Sequence, residues 1–242
     1  MGRFTLDAQN KSIVHGGGMM ASAIRSIEGI TGAVFAAGVS NSREIDHLEY
    51  TREKNDLWTF IDNNSNKKII YFSSYIARDG TSRYAQHKRQ MELMIEEKAN
   101  DFLVLRLPQV VGITTNRTLI SYFVNAAKIR EKLTIQRNAF RSLVDVADIG
   151  RIISLFNQKK VTREVITVGP LKPLRVLYII ENIESILQVK IDFTLVDGGD
   201  RQTGDLSRAL ELLERNDPLF DEAYQCSVLK KYVPMLFGGR FD

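Results

Sequence analysis

Apolar residues in the N-terminal half of the chain fall into short unbroken runs: Lys11–His15 (KSIVH), Ala33–Ala37 (AVFAA), Lys68–Ser73 (KIIYFS) and Phe102–Leu107 (FLVLRL). Between them, Met19–Ile27, Tyr50–Asn63 and Arg83–Ala99 repeat their apolar positions at helical spacing. Unbroken apolar runs joined by amphipathic helices predict a parallel sheet covered on both faces, a doubly wound α/β fold. The second half is more mixed. Its pattern predicts helices over 118–131, 146–157 and 173–187, with strands near 133–135, 164–168 and 190–195. A shift after Gly112 divides the chain into 1–112 and 113–242, two parts of one interleaved domain, with no linker between them.

The 242 residues are 44% hydrophobic and 26% charged, which excludes collagenous, low-complexity and wholly disordered chains and leaves ample material for a core. Cys226 is the lone cysteine, so no internal disulfide forms and a reducing compartment, the cytoplasm, is expected. No apolar run reaches the length of a membrane span, and the start, MGRFTLDAQNKS, lacks the apolar stretch of a signal peptide. A net charge of +4 is too small to argue for nucleic acid, and the basic residues are not interleaved with aromatics. The charge is unevenly placed, however. Lys128–Arg175 holds eleven basic and four acidic residues, which leaves the rest of the chain net negative. Such an excess favours an anionic ligand, although solvated surface accounts for most of these side chains.

Two constellations carry chemistry. The first is Gly16-x-Gly18-x-x-Ala21 between a predicted strand and a predicted helix. Glycines there tighten the turn and let the backbone approach a pyrophosphate, which makes the segment a candidate dinucleotide loop. The acidic residue that normally holds the ribose, on a second strand about 20 residues further on, is missing. Only 16 residues, Ser22 to Ala37, connect the loop to the end of the next strand, so the second and third strands of such a fold are expected to be absent.

The second constellation is Ser73-Ser74 at a strand end, followed by Tyr84 and Lys88 at i and i+4 of a helix. A lysine ammonium one turn from a phenol lowers its pKa toward the working range, which makes Tyr84 a candidate general acid or base. Y-x-x-x-K alone is common in helices, and the preceding serines and upstream glycines are what single this copy out. His15, His47 and His87 show no metal spacing and are read as structural or surface, so no metal is expected.

Taken in order, strand–GxGxxA–helix, AVFAAGVS, Asn55 in a helix, YFSS, YxxxK and LRLPQVVG resemble the extended short-chain dehydrogenase/reductases. The similarity is to the NAD-dependent epimerase/dehydratases that act on nucleotide-diphosphate sugars. It continues through Arg141–Asp148 (RSLVDVAD), Ile166–Gly169 (ITVG) and Asp205–Ala209 (DLSRA), covering about 200 residues from Lys11 to Leu213. The resemblance implies a Rossmann-like fold, reduced in its N-terminal half, with a small C-terminal α/β substrate subdomain. It implies NAD or NADP as cofactor, with Gly16, Gly18 and Ala21 at the pyrophosphate and Ala36, Ala37, Asn55 and Pro108 along the nicotinamide half. Ser74, with Ser73 as fallback, would bind the reacting sugar oxygen. Tyr84 would exchange the proton, and Lys88 would hold the nicotinamide ribose. Gln109 and Arg141 would bind the nucleotide-diphosphate sugar. The family also implies a homodimer through the helices holding Asn55 and Tyr84, with Trp58, Met91 and Met94 as candidate contact residues.

Three features depart from the family pattern. The adenosine-side strands are missing, only nine residues separate Ser74 from Tyr84, and Tyr75-Ile76 stand where dehydratases carry an acidic pair. The last argues against dehydration. Three readings follow: a 4-keto-sugar reductase, which leads, an epimerase of the same family, and a non-catalytic dinucleotide-binding sensor or scaffold.

Overall fold

The computed structural model describes residues 12–78 and 80–239; Lys11, the expected start of the first strand, lies outside them. Five parallel strands form the central sheet: β1 (Ile13–His15), β2 (Ala33–Phe35), β3 (Lys68–Ser74), β4 (Asp101–Leu107) and β9 (Glu164–Thr167), in the spatial order β1-β2-β3-β4-β9. Between β4 and β9 the chain forms β5 (Gln109–Val111), β6 (Leu133–Gln136), β7 (Phe140–Arg141) and β8 (Leu143–Asp145). β10 (Leu174–Arg175) and β11 (Phe193–Val196) come later. These short strands make three two-stranded pairings: β5 with β8, β6 with β11, and β7 with β10.

Alternation along the central strands divides the core. Ala33, Phe35, Ile69, Tyr71, Phe102 and Val104 point to one face, where α2 (His47–Asn63) and α3 (Arg83–Lys98) cover them with Leu57, Phe60, Ile61, Met91 and Ile95. Val34, Ile70, Leu103 and Leu105 point to the other. That face is covered by α1 (Met19–Arg25), α4 (Leu119–Ile129), α5 (Val146–Gln158), α6 (Val176–Leu187), α7 (Ser207–Leu212) and α8 (Tyr224–Gly238). Burial on both faces is why these strands read as unbroken apolar runs.

Direct passage from α1 into β2 has a topological consequence. The order β1-β2-β3-β4 runs in one direction, yet α1 lies on the face opposite α2 and α3. The β1–α1–β2 crossover therefore has the opposite hand to the two that follow, against the strong right-handed preference of such units. β1 also becomes an edge of the sheet, three residues long, with Ile13 43% exposed.

The expected helices and main strands are present with shifted ends. α2 starts three residues earlier than its pattern predicts, because Asp46 caps it by accepting from the Leu48 N–H at 2.8 Å. β2 stops at Phe35, after which the Ala36 N–H makes a last bond to the His15 carbonyl at 2.7 Å. Strands β5, β7, β8 and β10 and helices α7 and α8 are additions to the sequence reading. Among the described residues no helix is long and apolar enough to cross a membrane.

Candidate active site

The C-terminal ends of the sheet strands open into a cleft of about 770 Å³. Its walls are the turn after β1, the loop after β2, the end of β3 with the start of α3, and the segment from Leu107 to Tyr122.

In the glycine turn the three glycines do different work. Gly16 sits at φ +129°, and a Cβ there would lie 2.5 Å from the Ala36 carbonyl oxygen, so only glycine lets the turn pack on β2. Arg25 ties the turn down by donating to the Gly16 and Val14 carbonyls at 2.6 and 3.1 Å. Gly17 and Gly18 line the cleft and have nothing within 4 Å of where a Cβ would stand, leaving an open cradle for a ligand's backbone-bound group. Ala21 is buried within the fold and does not reach the cleft. The glycine motif thus divides into packing positions, Gly16 and Ala21, and lining positions, Gly17 and Gly18. Ala36 and Ala37 also line the cleft.

The candidate acid–base residues stand across from the turn. Ser74, Tyr84 and Lys88 all line the cleft, and the Lys88 ammonium lies 5.8 Å from the centre of the Tyr84 ring. Gly80 and Ser82 make the short connection between Ser74 and Tyr84 possible. The Gly80 N–H closes a turn on the Ile76 carbonyl at 2.9 Å, and the Ser82 hydroxyl caps α3 by accepting from the Ala85 N–H at 3.2 Å. Ser73 also lines the cleft, but its hydroxyl donates to buried Glu92 at 2.6 Å, a carboxylate also held in a fork by Arg106.

At the centre of the group is a residue the sequence reading passed over. Glu53, on α2, is fully buried and accepts four hydrogen bonds: from Tyr71 at 2.6 Å, the Val39 N–H at 2.7 Å, His87 at 2.9 Å and Lys88 at 3.0 Å. Lys88 also donates to the Tyr71 hydroxyl at 3.1 Å. Burial disfavours the Glu53 carboxylate, but Lys88, His87 and Tyr71 reverse this and hold its pKa well below the ordinary range. Burial likewise disfavours the Lys88 ammonium, and Glu53 leaves its pKa above the usual lysine value.

Tyr84 differs from the sequence expectation. Burial raises the phenol above the ordinary tyrosine range, Lys88 and Ser74 pull it down, and Glu53 adds to the rise, so the net direction is upward. The charge expected to depress Tyr84 is the one paired with Glu53.

Asn55 requires a correction. It is exposed on the outer side of α2 and lines no part of the cleft. The inward stripe of that helix is Tyr50, Glu53, Leu57, Phe60 and Ile61, and two residues along a helix turn Asn55 about 200° away from Glu53. A carboxylate standing on an otherwise apolar stripe was the available signal.

Pro108, Gln109 and Arg141 line the cleft as expected from the resemblance. Arg141 is held by Asp200, whose carboxylate accepts at 2.7 Å and whose carbonyl accepts at 3.1 Å. The rest of the basic stretch is used differently: Arg151 pairs with Asp217 and Asp148, and Arg163 donates to the carbonyls of Ala99 and Asn100. The cleft's other arginines, Arg43, Arg52 and Arg117, come from outside that stretch, and among the described residues no carboxylate lines it. Tyr75 turns inward, with its hydroxyl against Gly169.

No protein-family model and no curated protein matches the sequence. Solved structures do match. RMD from Pseudomonas aeruginosa, complexed with NADPH, is 12% identical with a TM-score of 0.74, covering 94% of this chain and 99% of that one. UDP-N-acetylglucosamine 4-epimerase from Methanobrevibacter ruminantium M1, in complex with UDP-N-acetylmuramic acid, is 19% identical with a TM-score of 0.67, covering 88% and 80%. UDP-glucose 4-epimerase from Thermus thermophilus, in complex with NAD, is 13% identical with a TM-score of 0.67, covering 86% and 78%. The chain shares the Rossmann-like fold of these proteins.

Proposed function

We propose that the protein is an NAD(P)-dependent oxidoreductase acting on a nucleotide-diphosphate sugar, and that it reduces a 4-keto-sugar. The observation that carries this reading is the Ser74–Tyr84–Lys88 group in a cleft lined by four arginines and free of carboxylates among the described residues. Two diphosphates, one from each ligand, suit such a lining, because guanidinium groups bind phosphate oxygens in pairs. The open backbone at Gly17 and Gly18 fits a dinucleotide pyrophosphate, with Ala36, Ala37, Pro108 and Lys88 toward the nicotinamide half. When bound, the nicotinamide supplies the hydride. Ser74 holds the carbonyl oxygen, Tyr84 gives it a proton, Lys88 holds the nicotinamide ribose, and Gln109 and Arg141 orient the sugar nucleotide.

Epimerisation is the second reading, favoured by the likeness to 4-epimerases. The reductase is preferred because β1 is a short exposed edge without neighbouring strands on the adenosine side, which suits a cofactor exchanged at each turnover. Purified protein retaining NAD through gel filtration and interconverting UDP-sugars without added cofactor would decide for the epimerase. A non-catalytic binder is separated by Tyr84→Phe, which abolishes turnover in an enzyme and leaves a sensor's ligand response unchanged.

For assembly we propose a homodimer through α2 and α3, supported by exposed Leu48, Trp58 and Leu93. Met91 and Met94 do not contribute to it, since both are buried against the sheet. A dimeric mass in light scattering is expected, and a monomeric mass at micromolar concentration would refute it.

A further inference from the structure

Lys88 is 3% exposed and Glu53 fully buried, and the two are joined at 3.0 Å. The backbone closes over them. A Cβ on Gly38 would lie 2.7 Å from the Glu53 carboxylate and 2.8 Å from the Lys88 ammonium, so a side chain there would push against the pair. Four donors saturate the carboxylate without a proton of its own. Lys88 lies 5.8 Å from the centre of the Tyr84 ring. At such a range a lone buried cation lowers a phenol's pKa by roughly 1–3 units, whereas a cation paired with a carboxylate acts only as a dipole.

We propose that Glu53 is a positioning residue that pairs with Lys88 and so keeps Tyr84 in its proton-donating form, setting the site to reduce a carbonyl rather than oxidise an alcohol. The inference rests on the oxidoreductase reading above and deepens it. In reduction a hydride adds to the carbonyl carbon as the nicotinamide is oxidised. The C=O π pair takes the Tyr84 proton, new C–H and O–H bonds form, and the tyrosinate is reprotonated by water. Alcohol oxidation, which opens an epimerase cycle, needs the opposite starting form, a phenolate. The burial of Tyr84 acts in the same direction as Glu53.

Other ionisable groups around the pair come from three elements. α3 contributes His87, on the far carboxylate oxygen, and Glu92, whose charge acts on both Lys88 and Tyr71. β3 contributes Tyr71 itself, and α2 contributes Tyr50, whose ring is tilted 52° against that of His87 with centroids 4.7 Å apart, and whose phenol also feels Glu44 and Arg83.

The test is a titration of the free protein labelled at tyrosine Cζ with carbon-13, with the Tyr84 resonance assigned by its loss in Tyr84→Phe. In the native protein Tyr84 is expected to stay protonated through the ordinary tyrosine range, and in Glu53→Gln to titrate at least about one unit lower. Glu53→Asp, which keeps the charge, should retain the native behaviour. In reductive assays the high-pH limb of the Glu53→Gln profile should move down with the phenol. A native Tyr84 that titrates below about pH 10 overturns the proposal without any variant, as does a Glu53→Gln protein whose Tyr84 titrates where the native one does. Should no keto-sugar nucleotide be turned over, the reductase reading fails, and the titration still decides the role of Glu53.

Discussion

The two walls of the cleft are built very differently. On the α2/α3 side, buried Glu53 and Glu92 gather Tyr71, His87, Lys88, Ser73 and Arg106 into hydrogen-bonded networks beside Tyr84 and Ser74. On the β1/α1 side, a three-residue edge strand and a seven-residue helix carry a glycine turn anchored by the carbonyl contacts of Arg25. Buried charged networks fully satisfied in this way hold a unique geometry, whereas short exposed edges do not. The contrast teaches that one wall of the cleft is preorganised by buried charge while the other is held by a few backbone contacts. A cofactor that enters and leaves at each turnover fits that division of labour.

The comparison can be broken from either side. Tyr84→Phe should give the largest effect, lowering kcat about 10²–10⁴-fold with nicotinamide binding kept, as measured by stopped-flow turnover and fluorescence titration. Undiminished turnover would remove Tyr84 from the chemistry.

Acid should strike the buried wall next. Glu53 and Glu92 have folded pKa values below their unfolded ones, so their contribution is fully present above the unfolded value of about 4.3 and is lost as pH falls through the folded values. Urea midpoints should therefore fall below about pH 4, and Glu53→Gln should flatten that slope.

On the open wall, Gly16→Ala should destabilise by about 1–3 kcal/mol, because the new methyl meets the Ala36 carbonyl in a left-handed conformation. Gly18→Ala should cost no more than about 1 kcal/mol in the free protein while weakening cofactor binding. Equal melting losses for the two would contradict the split between packing and lining glycines. The smallest effect is expected for Arg141→Lys, which keeps charge but loses the fork. KM for the sugar nucleotide should rise about tenfold with cofactor affinity unchanged.

The sequence made parts of this legible for identifiable reasons. β3 and β4 are buried on both faces and announce themselves as apolar runs, and Tyr84 and Lys88 share a helix face at a fixed spacing. The shortened edge was legible too, since 16 residues hold only α1 and β2. Glu53 was hidden in TREKNDLW, which reads as a solvated helix until the docked phase of α2 shows which residues face inward. That same phase turns Asn55 outward. Strands such as β7 and β10 are two residues long, too short for any periodicity to register. Arg43, Arg52 and Arg117 reach the cleft from separate segments, and only the tertiary fold assembles them.

The most direct test of the account follows nicotinamide absorbance while the protein is mixed with NADH or NADPH and nucleotide-diphosphate 4-keto-sugars. Stoichiometric oxidation of one reduced cofactor with formation of the alcohol, abolished by Tyr84→Phe, is the predicted result. Binding of both ligands with no change in absorbance, or sugar interconversion without net cofactor oxidation, would contradict it.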